Sequence, residues 1–134
     1  MSKILEQETV YKGRIFTLKR AKVKLPDERI VEYDLIAHHG AVTLVPIDED
    51  GNIYFVRQYR VAADREILEL PAGTLEEGEP PEECARREIR EETGMAAREF
   101  IKLGEMYMVP GYSSEYMYNY ASSRLIAVYQ QHSN

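Results

Sequence analysis

Apolar and polar positions alternate at short period through the first half of this chain, the mark of half-buried strands rather than helices. From Arg14 to Leu25 the alternation is loose, with Ile15, Thr17 and Lys19 set against Phe16, Leu18 and Arg20, and it stops at Pro26-Asp27, a turn signal. Arg29 to His38 follows, carrying Ile30, Tyr33, Leu35 and Ile36, and the two segments predict an antiparallel hairpin. Ala41 to Ile47 is a compact apolar run closed by the acidic turn Asp48-Glu49-Asp50-Gly51-Asn52. Ile53 to Tyr59 is rich in β-branched and aromatic residues and is expected to pair with that run. Glu66 to Leu70 reads as a shorter strand stopped by Pro71.

The pattern then changes. Pro80 to Thr93 is dominated by Glu, Arg, Ala and Ile, good helix formers on the whole. Pro80 and Pro81 suit a first turn, where a missing amide proton costs nothing. Glu82 and Glu83 suit the positive end of the helix dipole, and Gly94 stands where a left-handed terminating residue belongs. Beyond it, Arg98 to Met108 and Tyr116 to Val128 read as strands separated by a Pro-Gly-Ser loop.

The 134 residues suit one domain with one core. Runs such as Ala41 to Pro46 are too short to span a bilayer, and Met1 to Val10 is polar and acidic, unlike a secretory signal. Cys84 is the sole cysteine, which fits a reducing cytoplasm. The formal net charge of −6 is opposite in sign to that of a protein that lives by neutralising nucleic-acid phosphates, so neither a nucleic-acid nor a membrane partner is expected. An acidic chain can still act on an anionic small molecule if cations stand between them.

Such cations have a candidate seat. The predicted helix carries Glu88, Glu91 and Glu92. Residues four apart differ by about 40° around a helix axis, so Glu88 and Glu92 project side by side, with Glu91 at their edge. Glu92 falls roughly 20° from Ala85 on the wheel, close to the apolar stripe of Ala85 and Ile89. Glu82, Glu83, Arg86 and Arg90 take the solvent side. A Glu- and Arg-rich helix is ordinarily a solvated, salt-bridged face. Carboxylates gathered at the edge of a buried face instead suffer repulsion and desolvation, which a hard divalent cation such as Mg²⁺ or Mn²⁺ relieves. Arg87, on the flank, is placed to orient a carboxylate through a forked ion pair.

The whole segment resembles a family signature. Gly73, five residues, Glu79, seven residues, Arg87-Glu88, aliphatic Ile89, any residue, Glu91-Glu92, any residue, Gly94 and Met95 match every position of the Nudix box. Seven fixed identities coincide by chance in roughly one of 10⁸ windows at ordinary residue frequencies. The resemblance extends to Arg57-Gln58-Tyr59-Arg60, to Glu66 through Gly73 and to Pro110-Gly111-Tyr112-Ser113-Ser114-Glu115, which look like the ADP-ribose pyrophosphatase branch.

That resemblance implies an α+β fold, an α/β/α sandwich around a mixed sheet with an N-terminal antiparallel β-segment. Residues 1–39 would form that segment and the contacts of a homodimer, residues 40–134 the catalytic core, and residues 73–95 the box. It implies metal ligation by Glu88, Glu91, Glu92 and the backbone carbonyl of Ala72, with Mg²⁺ as cofactor and Mn²⁺ as a substitute. Glu79 and Arg87 would hold the box loop against the helix. Arg57, Arg60, Pro110 and Gly111 would contact substrate, and Glu115 would be the general base, with Glu91 or Glu92 as its rival. The implied reaction is cleavage of the diphosphate of a nucleoside diphosphate sugar, ADP-ribose first. The competing reading is a nucleotide-binding sensor of the same fold without hydrolysis, which would have no need of the intact glutamates. Branch members continue through a further strand and a closing helix, whereas nineteen residues follow Glu115 here; reduced stability or obligate dimerisation is therefore expected.

Other chemistry-bearing residues read as structural. His38 and His39 stand at a strand end, Cys84 lacks an activating neighbour in sequence, and Tyr116, Tyr118 and Tyr120 alternate as one face of a strand rather than as base-stacking platforms.

Overall fold

A computed structural model describes residues 1–128. The chain divides into two compact units, one made of Met1–Gly40 with Met106–Tyr116, the other of Ala41–Glu105 with the chain from Met117 onward. The expectation about a missing closing helix bears partly on residues 129–134, outside the described residues.

The first unit is built on an antiparallel sheet in the order β1 (Lys3–Lys12), β2 (Thr17–Lys24), β3 (Ile30–Ala37). The predicted hairpin is present: β2 and β3 pair without a slip from Thr17↔Ala37 to Lys24↔Ile30. Its turn is closed by Leu25 N–H donating to the Arg29 carbonyl at 2.8 Å, while Arg29 Nε donates to Asp27 Oδ2 at 2.7 Å. Strand β1 leaves no mark in the apolar–polar pattern, although it falls within the β-segment that the resemblance implies for residues 1–39. All ten of its residues are exposed, so it has no buried face to impose a two-residue period. Its register is marked instead by charge across the ladder, with Glu6 opposite Lys22 and Glu8 opposite Arg20, ion-paired at 3.1 and 3.4 Å.

The remainder of this unit, residues 106–116, is sewn to β3. Ile36 N–H donates to the Tyr112 carbonyl at 2.7 Å, and Ser114 N–H donates to the Ile36 carbonyl at 2.9 Å. The Ser114 hydroxyl accepts from His38 N–H at 2.9 Å. His38 serves the backbone, its Nδ1 accepting from Gly40 N–H at 2.9 Å.

In the second unit, β4 (Ala41–Pro46), β7 (Ala72–Thr74), β8 (Met95–Tyr107) and β9 (Tyr116–Ala127) form a sheet in the order β7-β4-β9-β8. β4 is antiparallel to β7 and parallel to β9, which makes this the expected mixed sheet. The pairing expected for Ile53 to Tyr59 needs correction. β5 (Val56–Arg60) pairs with β6 (Arg65–Glu69) in a separate two-stranded ribbon, and the segment meets the end of β4 through an isolated Ile47↔Ile53 bridge and the Tyr54 N–H donating to the Pro46 carbonyl at 3.1 Å. The reason is that both edges of β4 are taken, by β7 and β9.

The helix α1 spans Pro81–Thr93 and is the single helix among the described residues. None is long and apolar enough to cross a membrane. It starts one residue later than expected, at Pro81, with Pro80 extended as its N-cap, carries Glu82 and Glu83 in its first turn, and ends at Gly94, whose φ of 70° and ψ of 14° are left-handed. Gly94 N–H donates to the Arg90 carbonyl at 2.9 Å, satisfying one of the carbonyls a helix end leaves open. Cys84, Ala85 and Ile89 bury its inner stripe among Val42, Leu44, Leu75, Ala97 and Tyr120. The Gly94→Ala variant should lose about 1 kcal/mol, because a Cβ is disfavoured in the left-handed region; thermal unfolding would register it as a lowered midpoint.

Candidate active site

A short strand and a helix meet in the second unit with almost no space between them. Gly73 lies in β7, and a Cβ built there would stand 1.9 Å from Glu88 Cδ and 2.2 Å from its Oε1. A side chain at this position would displace the carboxyl group, so the glycine serves by leaving room for Glu88 and not by its backbone freedom. Filling the gap lets Glu88 sink to 6% exposure. Burial is the main influence on its pKa and pushes it up, with the Glu91 and Glu92 charges pushing the same way and Arg87 opposing.

Arg87 is the centre of this cluster. Its Nε and Nη2 donate to the two oxygens of Glu79 at 3.0 and 2.9 Å, the forked pair expected of it. Its Nη1 donates to Glu88 at 2.7 Å and to Glu91 at 3.2 Å, and Nη2 reaches the Thr74 carbonyl at 3.3 Å. The helix is thereby tied to the loop in front of it. The hydrogen bonds from Arg87 hold the Glu79 carboxyl down at about 2. Cys84 joins the same tie through its thiol, 3.9 Å from the Gly73 carbonyl and 3.8 Å from that of Thr74. Burial pushes that thiol up to about 12, far from a nucleophile's range.

The glutamates differ in setting from the helical-wheel expectation. Glu88 is buried, whereas Glu91 and Glu92 are exposed. Angular position on a wheel ignores what stands opposite each turn. Glu88 meets the bare backbone of Gly73; Glu92, one turn further toward the helix end, has no such cover. Among the described residues, no three His, Cys, Asp or Glu side chains converge at metal-holding distance, and Arg87 bonds two of the three glutamates. The donor set nonetheless suits a hard divalent cation. One guanidinium faces the four carboxylates of Glu76, Glu79, Glu88 and Glu91, so negative charge is left over, and every donor is an oxygen.

The β5–β6 ribbon carries the two predicted arginines. Arg60 is bound by Glu69 through a second forked pair, Nε to Oε2 at 2.8 Å and Nη2 to Oε1 at 2.5 Å. These bonds raise the Arg60 pKa, and the charge of Glu92 adds to the effect. Arg57 is exposed and has no ion pair among the described residues. Glu69 is the residue that sequence reasoning missed; its only signal was its place in Glu66-Ile67-Leu68-Glu69-Leu70-Pro71, just ahead of the box.

The remaining predicted residues lie in the first unit. Pro110 and Gly111 line a cavity of about 250 Å³ with Ala21, Tyr33, Leu35 and Tyr112. Glu115 is half-buried. Its N–H donates to the Ser113 hydroxyl at 3.1 Å, and its carbonyl accepts from Met108 N–H at 3.2 Å.

A family model described as NUDIX domain matches residues 37–131. The chain is 34% identical over 123 residues to an ADP-ribose pyrophosphatase of Bacillus subtilis (strain 168), covering 92% of this chain and 66% of the relative. It is 41% identical over 122 residues to an ADP-ribose pyrophosphatase of Mycobacterium tuberculosis (strain ATCC 25618 / H37Rv), covering 90% of this chain and 59% of that one. The chain thus spans about three-fifths to two-thirds of the length of these relatives. The crystal structure of an ADP compounds hydrolase matches 99% of this chain and 72% of its own, with a TM-score of 0.82 and 27% identity.

Two measurements test this geometry. Gly73→Ala should cost about 1–3 kcal/mol by overpacking and displace Glu88, so an unchanged unfolding midpoint would count against the close approach. For Glu79, a folded pKa depressed from 4.5 to about 2 means stabilisation that is full above pH 4.5 and is lost as the pH falls through 2. Melting curves from pH 6 to 2 should accordingly decline less steeply for Glu79→Gln than for the parent chain.

Proposed function

The chain belongs to the Nudix family, and on that premise we propose that it hydrolyses the diphosphate bond of a nucleoside diphosphate sugar, ADP-ribose being the leading substrate. The observation that carries this reading is the Glu88 carboxyl buried against Gly73, on a helix that also presents Glu91 and Glu92. A carboxylate desolvated among other carboxylates is unfavourable unless a cation serves it. The two ADP-ribose pyrophosphatases among its relatives support the choice of substrate.

Glu88, Glu91, Glu92 and the carbonyl of Ala72 would hold a divalent cation, Mg²⁺ with Mn²⁺ as substitute. When bound, it supplies charge neutralisation for the diphosphate and a lowered pKa for water. Arg60 and Arg57 grip the diphosphate oxygens, which a planar, permanently charged guanidinium is suited to do. Pro110 and Gly111 contribute contact surface for substrate. Glu115 receives the proton of the attacking water, with Glu91 or Glu92 as the alternative base. Hydrolysis of ADP-ribose gives AMP and ribose 5-phosphate. The same reading takes the protein as cytoplasmic and as a homodimer joined through residues 1–39. The exposed apolar side chains of that segment, among them Ile4, Leu5, Tyr11 and Ile30, and the fully exposed strand β1 support the dimer.

Incubated with ADP-ribose and Mg²⁺, the protein should release AMP. Glu92→Gln should lower kcat by about two orders of magnitude, the scale of losing one group that stabilises transition-state charge. Tight ADP-ribose binding with no product over hours would sink the hydrolase in favour of a sensor. Sedimentation equilibrium at micromolar concentration should give twice the chain mass and Ile4→Glu should move it toward the monomer; a monomeric parent chain would refute the dimer.

A further inference from the structure

We infer that Glu69 is a positioning residue for substrate, holding the Arg60 guanidinium in one plane with one edge left open for a diphosphate oxygen. The inference deepens the reading above and rests on its assignment of Arg60 to the diphosphate.

The ribbon register defines the geometry. Arg60 stands opposite Arg65, Gln58 opposite Ile67 and Val56 opposite Glu69, so Arg60 and Glu69 share a face, four residues apart along the ladder. To reach Glu69 the Arg60 side chain must lie back along the ribbon, past the Gln58–Ile67 pair. The backbone under it is fixed as well. The Arg60 carbonyl accepts from Ala63 N–H at 3.0 Å, and Tyr59 OH donates to Asp64 Oδ1 at 2.7 Å across the same turn.

Glu69 occupies Nε and one hydrogen of Nη2, while Nη1 has no partner among the described residues. A forked pair sets the orientation of a guanidinium plane as a single bond cannot, leaving donors aimed in a fixed direction. Stability is a poor explanation for the pair. Arg60 and Glu69 side chains are 48% and 23% exposed, and ion pairs reached by water add little to folding. Glu69 is also three residues ahead of Ala72, and Glu92 acts electrostatically on the same guanidinium.

The test is a double-mutant cycle read by calorimetry with inorganic pyrophosphate and Mg²⁺, which needs no turnover, on the parent chain, Glu69→Gln, Arg60→Ala and the double variant. Glu69→Gln should weaken binding about tenfold, the effect of one lost charge-assisted hydrogen bond, with an unfolding midpoint close to the parent's. The double variant should bind no more weakly than Arg60→Ala alone. In the ADP-ribose assay, KM should rise with kcat nearly unchanged, and Glu69→Asp should recover part of the loss. A Glu69→Gln effect that persists in full without Arg60, or no pyrophosphate binding by the parent chain, overturns the inference. Coupling without hydrolysis of any nucleoside diphosphate sugar would uphold the positioning role while the proposed reaction fails.

Discussion

The second unit is organised around one guanidinium. Arg87 binds Glu79 in a forked pair, reaches Glu88 and Glu91 with its other nitrogen and touches the Thr74 carbonyl. It therefore ties together the box loop, the helix and the end of β7. Without it Glu88 would be an uncompensated buried charge, which costs several kcal/mol and is not tolerated. With it, a carboxylate can stand at the heart of the unit, provided Gly73 offers no side chain to stop it. The glycine, the buried acid and the arginine are one arrangement, and each makes sense only in the presence of the other two.

That arrangement is also incomplete in charge. One arginine offsets one of the three carboxylates it bonds, and Glu92 lies one turn beyond Glu88. For the proposed reaction, an acidic protein accepting a diphosphate would face the same deficit from the other side. A hard divalent cation would answer both, as a partner suited to carboxylate and phosphate oxygens alike. On the same proposal, the arginines of the β5–β6 ribbon would supply the directional part of recognition, which a spherical ion cannot.

The first unit shows a different use of backbone. Residues 106–116 gain their structure by hydrogen bonding to Ile36 and His38, more than seventy positions earlier in the chain. The segment bearing Pro110, Gly111 and Glu115 is consequently held by main-chain bonds as well as by side-chain contacts. Its conformation follows from the β2–β3 hairpin being in place.

Local chemistry was legible in the chain itself. The helix from Pro81 to Thr93, its left-handed stop at Gly94 and the hairpin of β2 and β3 were written in propensity and turn residues, which act over a few positions, while the Glu79–Arg87 pairing was implied by the family resemblance. What needed the tertiary structure was everything set by residues far apart. Strand β1 has no buried face, so its existence depends on β2. The partner of β5 was decided by β7 and β9 occupying both edges of β4. Glu88 rather than Glu92 became the buried acid because Gly73 happens to stand opposite it. Glu69 gained its partner only when the ribbon folded Arg60 back upon it. Periodicity records which face of an element seeks cover; it carries no record of which neighbour provides it.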